Sequence, residues 1–103
     1  MARRTVAWTT TAKYQRREVL KYWAKRNKST AYPKKLIAQI KDRVAAISKM
    51  PFSFKEADFP NTRVSSMGHF SIFFRVEEQR ILITAFWDNR NDPDKLEKII
   101  LDI

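Results

Sequence analysis

The chain has 103 residues, 21 Lys and Arg against 11 Asp and Glu, and a formal net charge of +10. That length suits one domain over residues 1–103, and an apolar content of 44%, with Trp8, Trp23 and Trp87, suffices for one core. The lack of Cys excludes disulfides and thiolate zinc sites, 13% aromatic residues exclude a disordered polybasic tail, and the charge points to an anionic partner: nucleic acid, an acidic protein or an anionic surface.

Arg3 and Arg4 are not followed by a secretory apolar segment, because the Thr run after Trp8 interrupts it. No stretch reaches the roughly 20 apolar residues of a membrane span. The expectation is a soluble, cytoplasmic protein with no membrane partner. Thr5-Val6-Ala7-Trp8 is rich in β-formers and reads as a first strand. Thr10 or Thr11 is placed to cap a helix running from Ala12 to about Arg26, free of Gly and Pro, with Ala12, Val19, Leu20 and Trp23 near helical spacing. Asn27 to Thr30 breaks the pattern. Pro33 then falls in the first turn of a second helix, whose buried stripe is Leu36, Ile37, Ile40, Val44 and Ile47 and which Pro51 stops. A tight link between two long helices predicts an antiparallel hairpin.

Phe52 to Asn61 reads as a loop. Strands are expected at Thr62–Ser66, His69–Glu77 and Arg80–Trp87, with Met67-Gly68 and Glu78-Gln79 as turns. The middle strand alternates: Phe70, Ile72, Phe74 and Val76 on one face, His69, Ser71, Phe73 and Arg75 on the other. Asp92-Pro93 is a helix-start signal, and Leu96, Ile99, Ile100 and Ile103 form the apolar stripe of a C-terminal helix. The order β-α-α-β-β-β(-α) predicts an α+β fold, an antiparallel sheet with the helical hairpin packed on one face. Leu36, Ile40, Val44 and Ile47 should then face Phe70, Ile72 and Phe74.

The candidate working residues gather near strand ends, where a rigid strand positions a side chain and a loop exposes it. With His69 the only His, there is no metal set, and no Gly-rich phosphate loop or nucleophile triad is visible. No cofactor is expected. Arg63 and Arg75 fall on neighbouring strands and Arg90 leaves the last one, so their guanidinium groups could line one sheet edge and hold phosphate. The competing reading pairs these arginines with Glu56, Asp58, Glu77, Asp88 or Asp92. Trp87 could stack on a base or belong to the core. Lys55 and Lys95 complete the set of candidate target contacts.

Thr9 to Ala12 as Thr-x-x-Ala, the Met50-Pro51 stop, Gly68-His69-Phe70-Ser71-Ile72-Phe73-Phe74-Arg75-Val76 and Phe86-Trp87-Asp88-Asn89-Arg90-Asn91-Asp92-Pro93 together resemble the RelE/ParE family of bacterial type II toxins. The resemblance implies a toxin neutralised by a cognate antitoxin. It also implies one of two targets: DNA gyrase for ParE-like members, or messenger RNA on the ribosome for RelE-like endoribonucleases. Arg90 matches one arginine of the nuclease branch, but Ser71 stands where that branch has another. Leu96 lies near the place of its catalytic Tyr or His, and Lys55 and Glu56 fall in a loop that carries its charged catalytic groups. A nuclease here would have to use Arg63 and Arg90 for charge and Glu56 and His69 for proton transfer. The ParE-like reading is favoured, with the ribosome-dependent nuclease as the alternative.

Overall fold

The computed structural model describes residues 4–101 and runs β1 (Thr5–Trp8), α1 (Thr10–Asn27), α2 (Ala31–Lys49), a single 3-10 turn (Pro51–Ser53), β2 (Lys55–Glu56), β3 (Arg63–Met67), β4 (Phe70–Val76), β5 (Arg80–Asp88) and α3 (Pro93–Leu101). The strands form one sheet in the order β1-β5-β4-β3-β2. All neighbours are antiparallel except β1, which runs parallel to β5 with Val6 opposite Ile81.

The helices begin and end for local reasons. Thr9, not Thr10 or Thr11, caps α1, its Oγ1 accepting from the Ala12 N–H at 3.1 Å. The strand must first leave the sheet, and Thr9 holds the last extended φ/ψ before the helix turns. Lys28 closes the helix in the left-handed region, its N–H reaching the carbonyls of Ala24 and Lys25. Ser29 Oγ accepts from the Ala31 N–H at 3.1 Å at the start of α2, where Pro33 loses no intrahelical bond. At the other end of the fold Asp92 Oδ1 accepts from the Asp94 N–H at 3.0 Å, so the Asp-Pro pair starts α3 as its sequence implies.

The helical hairpin covers one sheet face. Leu36, Ile40 and Ile47 of α2 are buried in one cluster with Phe70, Ile72 and Phe74 of β4 and Ile81, Ile83 and Phe86 of β5, with Val44 packed against it. Ile37 departs from the expected stripe. It turns away from the line of Leu36, Ile40 and Ile47 and is 45% exposed. The second face is covered as well: Leu96 and Ile100 of α3 bury Phe73, Ala85 and Trp87, with Ile99, Phe59 and Val64 at the margin. Ile103 of the expected α3 stripe lies outside the described residues.

The expected loop at 52–61 contains a short edge strand. Lys55 and Glu56 pair with Val64 and Arg63. Both side chains are exposed, so no apolar pattern marks the strand, and its shortness and charge suit an unprotected sheet edge. At the β3–β4 turn Gly68 has φ +62, a conformation that favours glycine. In β5 the register to β4 shifts at Thr84, so Phe73 faces Ala85 while Phe74 faces Ile83.

The core assignment makes a quantitative prediction. Ile40→Ala should lower the unfolding free energy by about 2–5 kcal/mol in a urea titration, whereas Ile37→Ala, at a solvent-facing position of the same helix, should shift it by less than about 1 kcal/mol.

Candidate functional site

The C-terminal end of β5 carries the best-organised polar group. As the strand leaves the sheet, Asp88 opposes Phe70 in the β4 register and the following turn brings Arg90 back over it. Arg90 Nε donates to Asp88 Oδ1 at 2.9 Å and Nη2 to Oδ2 at 2.6 Å, a bidentate pair that also uses the Arg90 backbone N–H at 3.0 Å. The guanidinium carbon lies 5.7 Å from the centre of the Trp23 ring on α1. Tyr22, Trp23, Asp88 and Arg90 line an open depression of about 410 Å³.

The pair is asymmetric: the Asp88 side chain is 17% exposed and that of Arg90 is 52% exposed. The Arg90 hydrogen bond holds the Asp88 carboxyl below its ordinary value, burial opposes that shift, and the Arg90 backbone N–H and the nearby His69 add to it. The same contact raises Arg90. A guanidinium held on both prongs by its own carboxylate presents less net charge to a phosphate than a free one does.

Arg63 lies elsewhere. It donates to the Phe54 carbonyl at 2.7 Å, sits 3.5 Å from Glu56 and rests 5.2 Å from the centre of the Phe52 ring. Those contacts make it an anchor for the edge segment. Arg63 opposes Phe74 and therefore shares the hairpin face, whereas Arg75, next along β4, points to the α3 face. The expectation that the three arginines share one edge is thus overturned by the pleat. Arg75 Nε is buried without a hydrogen-bond partner among the described residues, as is Thr84 Oγ1.

The register also separates the residues that a nuclease would need together. The Glu56–Arg63 row meets β4 at Phe74, and the Asp88 row meets it at Phe70, four residues or about 13 Å along the strand. Glu56 with Arg63 and His69 with Arg90 therefore form two groups at opposite ends of the sheet. His69 is exposed, and Asn89 donates its N–H to the His69 carbonyl at 2.9 Å. Trp87 is 8% exposed and belongs to the core under α3, so it offers no stacking face to a target. Lys55 and Lys95 are exposed, on β2 and α3 respectively. Among the described residues no group of His, Cys, Asp and Glu could hold a metal ion.

In the sequence, Trp23 reads only as part of the α1 apolar stripe and Asp88 only as one of several partners for arginine. The signal available was the Asp-x-Arg spacing immediately after an apolar strand, which permits an Asp side chain to bond the backbone two residues on. Ser71 is buried and its hydroxyl donates to Asn89 Oδ1 at 2.8 Å, tying β4 to the turn that carries Arg90.

A family model described as the ParE toxin of the type II toxin–antitoxin system parDE matches residues 6–93. Among solved structures, the chain is similar to one from the chromosomal ParDE toxin–antitoxin system of P. aeruginosa, with 17% identity and a TM-score of 0.69 over 81% of this chain and 92% of that one. It is also similar to one in the toxin–antitoxin complex RelBE2 from Mycobacterium tuberculosis, with 18% identity and a TM-score of 0.61 over 82% and 96% of the two chains. At such identities the structural likeness establishes the fold. The curated proteins contain no match. No helix among the described residues is long and apolar enough to cross a membrane.

The Asp88–Arg90 geometry predicts a pH response. Because the folded carboxyl titrates below its ordinary value of 3.8, its contribution to stability is present above that value and is lost as the pH falls through the folded midpoint. A carbon-detected NMR titration should place the Asp88 midpoint below 3.8 in the native protein and move it upward in Arg90→Ala. An unchanged midpoint in the variant would show that the bidentate pair is not formed in solution.

Proposed function

The chain belongs to the ParE toxin family of type II toxin–antitoxin systems, and from that premise we propose that it inhibits DNA gyrase and is held inactive by a cognate antitoxin. The observation that carries the choice of gyrase over messenger RNA is the separation of the candidate catalytic groups. In-line attack by a ribose 2′-hydroxyl needs a base, an acid and charge stabilisation around one phosphate, within hydrogen-bond reach. Here Glu56 and Arg63 lie about 13 Å along the strand from the row that holds Asp88, with His69 and Arg90 beyond it. Two further positions agree. Ser71 is buried and hydrogen-bonded to Asn89, so no cation projects from that place. Leu96 is packed in the core under α3 and supplies no proton.

The antitoxin partner follows from the family, from the source of both structural neighbours in toxin–antitoxin systems, and from charge. A +10 protein attracts an acidic segment at long range, and apolar anchors then set how long it stays. Exposed apolar side chains are present for that purpose at Ile37, Met50, Phe52 and Leu101. An antitoxin segment that is disordered alone could order on such a surface.

Arg90, Lys95 and the exposed side of α3 are the proposed contacts to gyrase. Removing α3 outright would uncover Phe73 and Trp87, so single surface substitutions are the informative variants. Purified protein should block gyrase supercoiling at concentrations that leave translation of a reporter messenger intact. Lys95→Glu should weaken that block while the melting temperature stays within a few degrees of the parent. Mapping of transcript ends after induction should reveal no codon-phased cuts. Cuts that vanish in Arg90→Ala, with cleavage falling by a factor of roughly 10²–10³, would instead establish the ribosome-dependent nuclease.

A further inference from the structure

The outward face of α1 lies away from the core, and only Glu18 and Tyr22, at its margin, reach the depression beside the strand-end pair. Residues Tyr14, Arg17, Glu18, Lys21, Tyr22, Lys25 and Arg26 recur at intervals of three and four, so they share one side of the helix. The opposite side carries Ala12, Val19 and Leu20 into the core. Tyr14 and Tyr22 are 53% and 54% exposed, unusual for rings on a helix that already buries its apolar side. Each ring has a cation beside it. The Arg17 guanidinium lies 5.8 Å from the centre of the Tyr14 ring, and Arg26 Nη1 donates to the Tyr22 hydroxyl at 3.4 Å. Glu18 is the single acid of α1, set against six Lys and Arg. It is occupied within the face, accepting from the Tyr14 hydroxyl at 3.3 Å and pairing with Lys21 at 3.5 Å.

We propose that this face binds single-stranded nucleic acid, with Arg17, Lys21, Lys25 and Arg26 on phosphates and Tyr14 and Tyr22 stacking on bases. The face runs about 18 Å from Tyr14 to Arg26, and at its C-terminal half it borders the depression between Tyr22, Trp23, Asp88 and Arg90. Unpaired bases present ring faces to any exposed aromatic, and the backbone presents a charge at each nucleotide. Alternating rings and cations match both features. An acidic protein segment would match the cations alone. Such segments hold their place with apolar anchors in a groove, and this face is a convex helix surface without exposed aliphatic side chains. The inference does not depend on the choice of gyrase, because it concerns binding by the isolated toxin.

The test is fluorescence anisotropy of a labelled oligothymidine strand with the full-length protein between about 50 and 200 mM salt. Tyr22→Ala should weaken binding roughly 5- to 150-fold, and Tyr22→Phe should restore most of the loss, since stacking needs the ring and not the hydroxyl. Lys25→Gln should reduce the log–log salt slope by about 0.7. Lys41→Gln, an exposed cation on α2, should change neither quantity by a comparable amount. Circular dichroism melts of all four variants should overlay the parent. Equal losses for Lys25→Gln and Lys41→Gln with no effect of Tyr22→Ala would overturn the proposal in favour of general charge attraction. Tyr22-dependent binding of poly-glutamate with no binding of the oligonucleotide would overturn it in favour of an acidic protein partner.

Discussion

The fold depends on the burial of β5 on every side. Its two neighbours use both of its hydrogen-bonding edges, β1 in parallel and β4 in antiparallel register. Its two faces feed two different clusters, Ile81, Ile83 and Phe86 toward the hairpin and Ala85 and Trp87 toward α3. Such a strand reads as a continuous apolar run because neither face meets water. β1 is shorter than β5, so beyond Ile83 the edge would be left open. There α1 takes over: Gln15 Oε1 accepts the Phe86 N–H at 2.9 Å, and the Thr9 hydroxyl donates to the Thr84 carbonyl at 3.4 Å. The position of α1, and with it Trp23 beside Arg90, is therefore fixed by the need to satisfy the backbone of β5.

This arrangement sorts the basic residues into two kinds. Arg63 and Arg90 are held by carbonyl, carboxylate and ring partners and serve local order at opposite ends of the sheet. Arg43 joins them, reaching from α2 to Ser65 Oγ at 2.8 Å and to the Ser66 carbonyl. The surplus charge lies instead on the exposed sides of the helices, where Lys and Arg face solvent. A long-range field from those groups speeds encounter with acidic partners. The arginines at the sheet ends thus contribute to local order through these contacts, while Arg90, half exposed, still presents a face to solvent.

The fold was legible where burial leaves a period in the sequence. Alternation along Phe70 to Val76, the helical spacing of Leu36, Ile40, Val44 and Ile47, and Asp92-Pro93 before α3 each correspond to an observed element. Two exposed residues carry no such period, which is why the sequence of β2 looks like loop. The site was less legible because it rests on register. Strand order alone made Arg63 and Arg75 neighbours; the pairing of Arg63 with Phe74 put them on opposite faces. Trp87 shows the same limit in another form. A Trp at a strand end is read as exposed or buried according to what covers it, and the cover is α3, residues later in the chain. The one-residue shift at Thr84 left no mark in composition, since Thr is at home in any strand.

The parallel pairing of β1 with β5 has a consequence for how the chain is made. Thr9 and Thr84, which meet at the end of that pairing, are 75 residues apart. The ribosome releases β1, α1 and α2 first, and none of them can complete the hairpin-side core until β4 and β5 have emerged. At roughly 5–20 residues per second, several seconds pass between the first strand and its partner. During that interval the apolar stripes of both helices are exposed on a nascent chain that is not yet folded. A protein partner already present would therefore meet apolar stripes that the finished sheet later covers.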